Sequence, residues 1–288
     1  MLSSDLEIYE SCDLGRPQFP TRSRLYHLEP IGIGTPYVES LTSYISRLAE
    51  AHCVTPRILI EREISLFREK SSKQKSLFGV RHHTGEVNGR GKTSLELVNL
   101  LEKATHRKDL KFLTLLIWAH IFPRKKLIKN TRHWCPLCYQ DILLNHQQIY
   151  EPLLWSLTVI ETCPIHKIPL KKVCNYCNQQ LPPLASNLRI GFCSKCGKWL
   201  GASTEQKSQK FNISDEQIKW QNHVTKNMEG VILASFDVQE SISRDKIAES
   251  INICINHITE GNIAAFARIL GVPKIPSGCG LKENQFHK

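Results

Sequence analysis

The chain has 288 residues, 41% hydrophobic and 23% charged, enough apolar material for one to three packed domains and too balanced for a wholly disordered protein. Lys and Arg outnumber Asp and Glu by 38 to 27, a formal +11, and the excess is uneven: net +7 over residues 1–130, +4 over 131–200 and zero over 201–288. The acidic MLSSDLEIYE start is unlike a secretion signal, and the most apolar stretch, residues 112–122, is about half a membrane span, so secreted and membrane classes are disfavoured and a cytoplasmic protein is expected.

Thr35, Pro36 and Glu39 mark a helix start, and Tyr37, Leu41, Tyr44, Ile45 and Leu48 follow on one apolar stripe. A second helical stretch covers roughly residues 56–67. Residues 69–93 are polar, basic and glycine-rich and read as loop, with His82 and His83 as solvated surface. Within it, GEVNGRGKT (85–93) looks like a phosphate-binding loop. Five residues rather than four separate its first Gly from the Gly-Lys pair, however, and the preceding GVRHHT is no buried strand. A turn feeding a helix capped near Thr93 or Ser94 is predicted instead. Helical periodicity over 94–122 predicts two helices broken near 105–109. Residues 201–217 read as a polar linker ending in a helix cap, and 245–258 as helix. GNIAAFARILGV (261–272) has the pattern of the first helix and turn of a helix-turn-helix, whose second helix Pro273, Pro276, Gly278 and Gly280 would break.

Seven of the eleven cysteines fall in residues 131–200. Cys174 and Cys177 face Cys193 and Cys196 across fifteen residues, each pair separated by two. Such turns point both sulfurs at one tetrahedral centre and suit a closed structural zinc site, with Gly197 fitting the tight backbone after the second turn. Buried free thiols or an iron–sulfur site are the alternatives. Cys135 and Cys138, with Cys163 and His166 twenty-four residues on, repeat the spacing as a Cys₃His set. His133 and His146 compete for the fourth position, and the helix of the intervening segment is expected around 151–158. Two structural Zn²⁺ are thus expected, in sites with no open position for catalysis. About seventy residues with little apolar alternation need such staples.

No signature for hydrolase, kinase or metalloprotease chemistry is present, so no enzyme is expected, although a dispersed acidic nuclease site leaves no local pattern. Arg124, Lys125, Lys126, Lys129 and Arg132 lead into the first cysteine pair. They suit phosphate neutralisation, or equally a solvated face or a grip on an acidic partner. The predicted architecture is mainly α with small zinc-knuckle or ribbon β elements. It divides into an N-terminal helical domain (1–130), a tandem zinc-binding module (131–200), a linker (201–217) and a C-terminal helical domain with an incomplete helix-turn-helix (218–288).

Trp134-Cys135-Pro136-Leu137-Cys138, Cys163-Pro164-Ile165-His166 with Pro169-Leu170, the second cysteine quartet, and Pro36, Glu39-Ser40-Leu41 and Arg47-Leu48-Ala49 together resemble the TniQ family of transposon target-selection proteins, over roughly residues 28–200. The resemblance implies a non-catalytic bacterial protein that recruits the AAA+ ATPase TnsC. Shorter members, which this chain is most similar to, ride on a CRISPR effector such as Cascade with its guide RNA, often as dimers, with target DNA nearby. Longer members of the TnsD type bind their attachment site directly. By the same resemblance the segment around Glu39 and Arg47 is a candidate partner contact.

Overall fold

The computed structural model describes residues 22–67, 84–122, 126–202, 214–238, 243–263 and 265. Helix α1 (Leu41–Ala51) is the centre of the fold: Leu41 through Ala49 are all buried, so it is enclosed on every side rather than along one stripe. Several of its polar groups are therefore satisfied internally. Asn88 Oδ1 accepts from Thr42 N–H at 2.9 Å, and Ser46 Oγ donates to the Leu188 carbonyl at 2.9 Å. The helix begins later than the sequence predicts. Gly32 and Gly34 take left-handed backbone and Thr35 Oγ1 donates back to the Gly32 carbonyl, which makes a turn of the Thr35 region. Glu39 then runs extended as an isolated bridge to Pro152, and Ser40 is the cap, accepting from Ser43 N–H.

Helix α2 (Pro56–Ile58) is capped by Thr55 and continues as a π turn (Leu59–Glu63) and a 3₁₀ turn (Ile64–Phe67), filling the predicted 56–67 stretch. Residues 68–83, with His82 and His83, lie outside the described residues. A 3₁₀ turn (Thr84–Asn88) leads to α3 (Lys92–Thr105), whose cap is Gly91 rather than Thr93 or Ser94: the Ser94 hydroxyl donates to the Glu86 carbonyl at 2.5 Å instead. The second helix predicted before residue 122 is replaced by two 3₁₀ turns, Leu110–Leu113 and Leu116–Trp118. Thr114 between them is extended, and the Leu115 N–H is taken by the Asn88 and Gly89 carbonyls. Leu110, Leu113, Leu115 and Trp118 still reach the core.

The cysteine-rich part holds α4 (Pro136–Leu144), the single-turn α5 (Leu153–Ser156) and isolated bridges, with no longer strand among the described residues. α5 is shorter than the expected 151–158. One hydrophobic cluster runs from Leu25 to Ile232, taking in α1, α3 and the cysteine-rich segment together. Helix α6 (Asp215–Asp237) opens on a full capping box between Ser214 and Gln217, the cap expected at the end of the linker. It packs Phe236 on Phe112, and its Gln221 holds Glu161 N–H and the Val159 carbonyl. Helix α7 (Arg244–Thr259), capped by Ser243, buries none of its residues. The helix-turn-helix candidate lies almost entirely outside the described residues, and no described helix is long and apolar enough to cross a membrane.

Candidate metal centres and the buried ion pairs around them

Three of the four cysteine-bearing turns are the same local device. In each, a residue four positions after the first cysteine takes left-handed backbone: Lys167 after Cys163, Asn178 after Cys174 and Gly197 after Cys193. That bend returns its N–H to the carbonyl of the first cysteine, at 2.9 Å in all three. The cysteine N–H pairs forward with Ile168, Gln179 or Lys198, and a one-residue bridge closes each turn: Thr162 to Pro169, Val173 to Gln180, Phe192 to Trp199. The fourth pair is built differently, since Cys135 caps α4 and Cys138 sits in its first turn. Backbone amides then aim at sulfur, His166 N–H at Cys163 and Lys195 N–H at Cys193, both at 3.4 Å.

These turns bring all eight predicted ligands into two sets of four, each with its donor atoms within 4.8 Å of one another. In the first, His166 Nδ1 lies 3.6, 3.2 and 3.7 Å from the sulfurs of Cys135, Cys138 and Cys163. In the second, Cys174 and Cys196 are 3.8 Å apart and Cys177 and Cys193 3.7 Å. Tetrahedral zinc bonds require about 3.8 Å between sulfurs and about 3.5 Å from sulfur to nitrogen, so both sets can hold a metal ion in a geometry compatible with zinc. His133 and His146 are in neither set. The His133 ring faces the Thr131 carbonyl, and burial, with Lys129 nearby, lowers it to about 4, while His146 is exposed. One partner escaped the sequence: Asp141, one turn beyond Cys138, accepts from His166 Nε2 at 2.8 Å, which leaves Nδ1 for the metal. Its i+3 spacing from Cys138 on a helix was the available signal.

Between the two sets runs a buried polar chain. Arg132 donates to Glu151 at 2.6 Å, to the Phe192 carbonyl at 2.8 Å and to the Tyr139 hydroxyl at 3.1 Å, while that hydroxyl donates to Glu151. Burial opposes the Arg132 charge, but Glu151 and Tyr139 raise its pKa, so it stays a cation. Tyr139 adjoins Cys138 and Phe192 adjoins Cys193, so one guanidinium braces both clusters. The chain continues into α1: Glu151 N–H donates to Ser43 Oγ at 3.1 Å, and Ser43 donates to Glu39, which pairs with Arg47 at 2.5 Å. Burial pushes the Glu39 carboxyl up, against Arg47, Ser43 and Ile31 N–H, which draw it back down.

This placement bears on two expectations. Glu39 and Arg47, expected at a partner surface, are 0% and 9% exposed and hold α1 to the rest of the fold. Of the five cations expected on nucleic acid, Arg132 is consumed inside, and Lys129 donates its ammonium to the Trp155 and Ile160 carbonyls at 3.0 and 2.5 Å. Burial lowers Lys129 to about 7. Lys126 is exposed; Arg124 and Lys125 lie outside the described residues.

The TniQ family model matches residues 30–170, a stretch that contains α1, α3 and the whole first ligand set. The chain belongs to the TniQ family. The second ligand set lies just beyond the matched stretch, and no curated protein matches the chain. The TniQ domain implies a role in transposition target selection. TniQ proteins come from bacterial transposons and are generally non-catalytic accessory proteins.

Proposed function

We propose that this TniQ protein is a zinc-stabilised adaptor that links a target-recognition complex, a guide-RNA effector such as Cascade, to the AAA+ ATPase TnsC, without making or breaking a bond. The observation that carries the reading is that the TniQ match includes a four-donor set, repeated just downstream, in which every position of a tetrahedron is filled by protein. A zinc ion there has no site for water or substrate and supplies fold instead of chemistry. Cys135, Cys138, Cys163 and His166 hold one ion, and Cys174, Cys177, Cys193 and Cys196 the other. Residues 131–200 then form a rigid platform on the N-terminal helices, with homodimerisation one way to present two such platforms. The inward use of Arg132 and Lys129 supports recruitment over base reading, because it removes two cations from the basic run that a direct DNA reader would employ.

Reconstitution of the purified protein with a TnsC-type ATPase and a guide-RNA effector tests this: the ATPase is expected on effector-bound target DNA only when this protein is present. Fluorescence anisotropy of the protein alone decides against direct reading of the TnsD type. Weak binding, equal on attachment-site and scrambled duplexes, is expected; a specificity ratio above about a thousand at physiological salt would overturn the adaptor reading.

A further inference from the structure

At the amino end of α3 lies an open cavity of about 790 Å³, on the face where GEVNGRGKT turns into the helix. Three separate parts of the chain place cationic or polar side chains on it: Arg90 and Lys92 from the turn, His120 from the segment after the 3₁₀ turns, and Lys126 and Asn130 from the approach to the first cysteine pair. Among the described residues Glu86 is the single carboxylate on its wall. Arg90 is half-buried, and its Nε is shut from solvent with no hydrogen-bond partner. Arg90, Lys92 and Lys126 form no ion pair among the described residues.

The helix end itself is left open. Gly91 is the cap, no side chain bonds to the first amides, and the first turn of α3 holds no acid. Nothing in the fold asks for glycine there: its φ of −91° suits any residue, and a Cβ would meet nothing within 4 Å. A Ser, Thr or Asp would close the orphan amides and stabilise the helix, so the glycine leaves them free for an outside acceptor. A partnerless cationic nitrogen on the cavity wall, uncapped amides and the positive end of a fourteen-residue helix together suit an anion.

We propose that this cavity seats a backbone phosphate of nucleic acid, a sequence-independent contact that anchors the protein beside its target. The shared chemistry with a free nucleoside triphosphate is the phosphate. The backbone is the favoured source because the turn follows a 3₁₀ segment (Thr84–Asn88) and not the buried strand that a nucleotide-binding loop requires. The proposal rests on the reading that the protein works next to DNA, and its test is independent of the ATPase.

The experiment is anisotropy with the full chain on short labelled duplexes of two unrelated sequences, over a salt series. The variant Arg90→Gln/Lys92→Gln/Lys126→Gln is expected to flatten the log K against log salt slope by about 2 to 3, equally for both sequences. The charge-matched control Lys219→Gln/Lys226→Gln/Lys246→Gln, on exposed positions of α6 and α7, is expected to leave the slope unchanged. Gly91→Asp guards against simple unfolding. It supplies a cap and should melt no lower than the wild type, yet it should weaken duplex binding as the triple variant does. Equal losses in the cavity and control variants, or wild-type binding by Gly91→Asp, would overturn the site. Displacement of duplex by ATP at constant ionic strength, beyond what added salt produces, would assign the cavity to free nucleotide and overturn the backbone reading. Loss of duplex binding with ATPase recruitment intact, or the reverse, separates this site from the adaptor function.

Discussion

Replacing Arg132 by Met keeps the volume of the side chain and removes its charge and three bonds: to Glu151, to the Tyr139 hydroxyl and to the Phe192 carbonyl. Arg132 is 2% exposed and Glu151 6%, so the carboxylate left behind is buried with only Tyr139 and its own proton to neutralise it. Breaking a buried pair from one side costs about 3–5 kcal/mol. That is a large share of the roughly 5–15 kcal/mol by which a domain is stable, and a fall on the order of 10 °C in melting temperature follows. The assay is urea unfolding in excess zinc, with metal content measured before each titration. Arg132→Met/Glu151→Leu, which removes both charges, should recover part of the loss, with a coupling energy of about 0.5–3 kcal/mol. A single-variant cost under about 1 kcal/mol would refute the buried brace, and a fully stable Arg132→Met that has lost duplex binding would return this residue to the phosphate-contact role its position in the basic run suggests.

Cys135→Ser and Cys174→Ser should each bind one zinc per chain instead of two and lose most of their native signal in circular dichroism; two retained ions in either would break the ligand assignment. Asp141→Asn should weaken the first site alone, by about 10- to 100-fold in a chelator competition, while the second site titrates as before. Lys129, lowered to about 7 by burial, holds fewer protons folded than unfolded from there up to the ordinary lysine range. Stability from this residue therefore rises with pH across that window, by at most about 1.4 kcal/mol per unit, and is flat below it. Lys129→Met should lose that slope in melts taken at pH 7 to 9, and a variant parallel to wild type would contradict the enclosed ammonium. Gly191→Ala should cost more than Gly34→Ala: both have positive φ, but only at Gly191 would the Cβ strike a neighbour, 2.4 Å from the Trp199 ring. Equal melting temperatures would contradict that packing.

What could be read from the sequence was what local spacing decides. Two-residue gaps fix the direction of paired sulfurs within a single turn, so both sets of four candidate ligands were visible, and Ser214 with Gln217 announced the start of α6 because a capping box involves only neighbouring residues. Distant acceptors decided the rest. The pattern of residues 110–122 is helical, but the Leu115 N–H is claimed by carbonyls more than twenty residues upstream, and the helix breaks into turns there. Likewise a run of cations looks the same whether it faces water or not; Lys129 and Arg132 point inward because the Trp155, Ile160 and Phe192 carbonyls and Glu151 receive them. Glu39 and Arg47 were legible as conspicuous residues, but not their burial, since no periodicity reveals that α1 is covered on its polar side as well.

Helix α7 sits at the other extreme from α1, with sixteen residues and not one buried. An isolated helix of about that length is marginal in water, held by little beyond its end caps. Its unfolding therefore costs the core nothing, and its amides should trade hydrogen for deuterium at rates set by local fraying while those of α1 exchange only when the whole domain opens. Any surface that captures α7 must supply the order that the rest of the molecule does not, so part of its binding energy is spent on holding the helix straight. The affinity of such an encounter would then respond to helix-favouring substitutions at positions that never touch the partner.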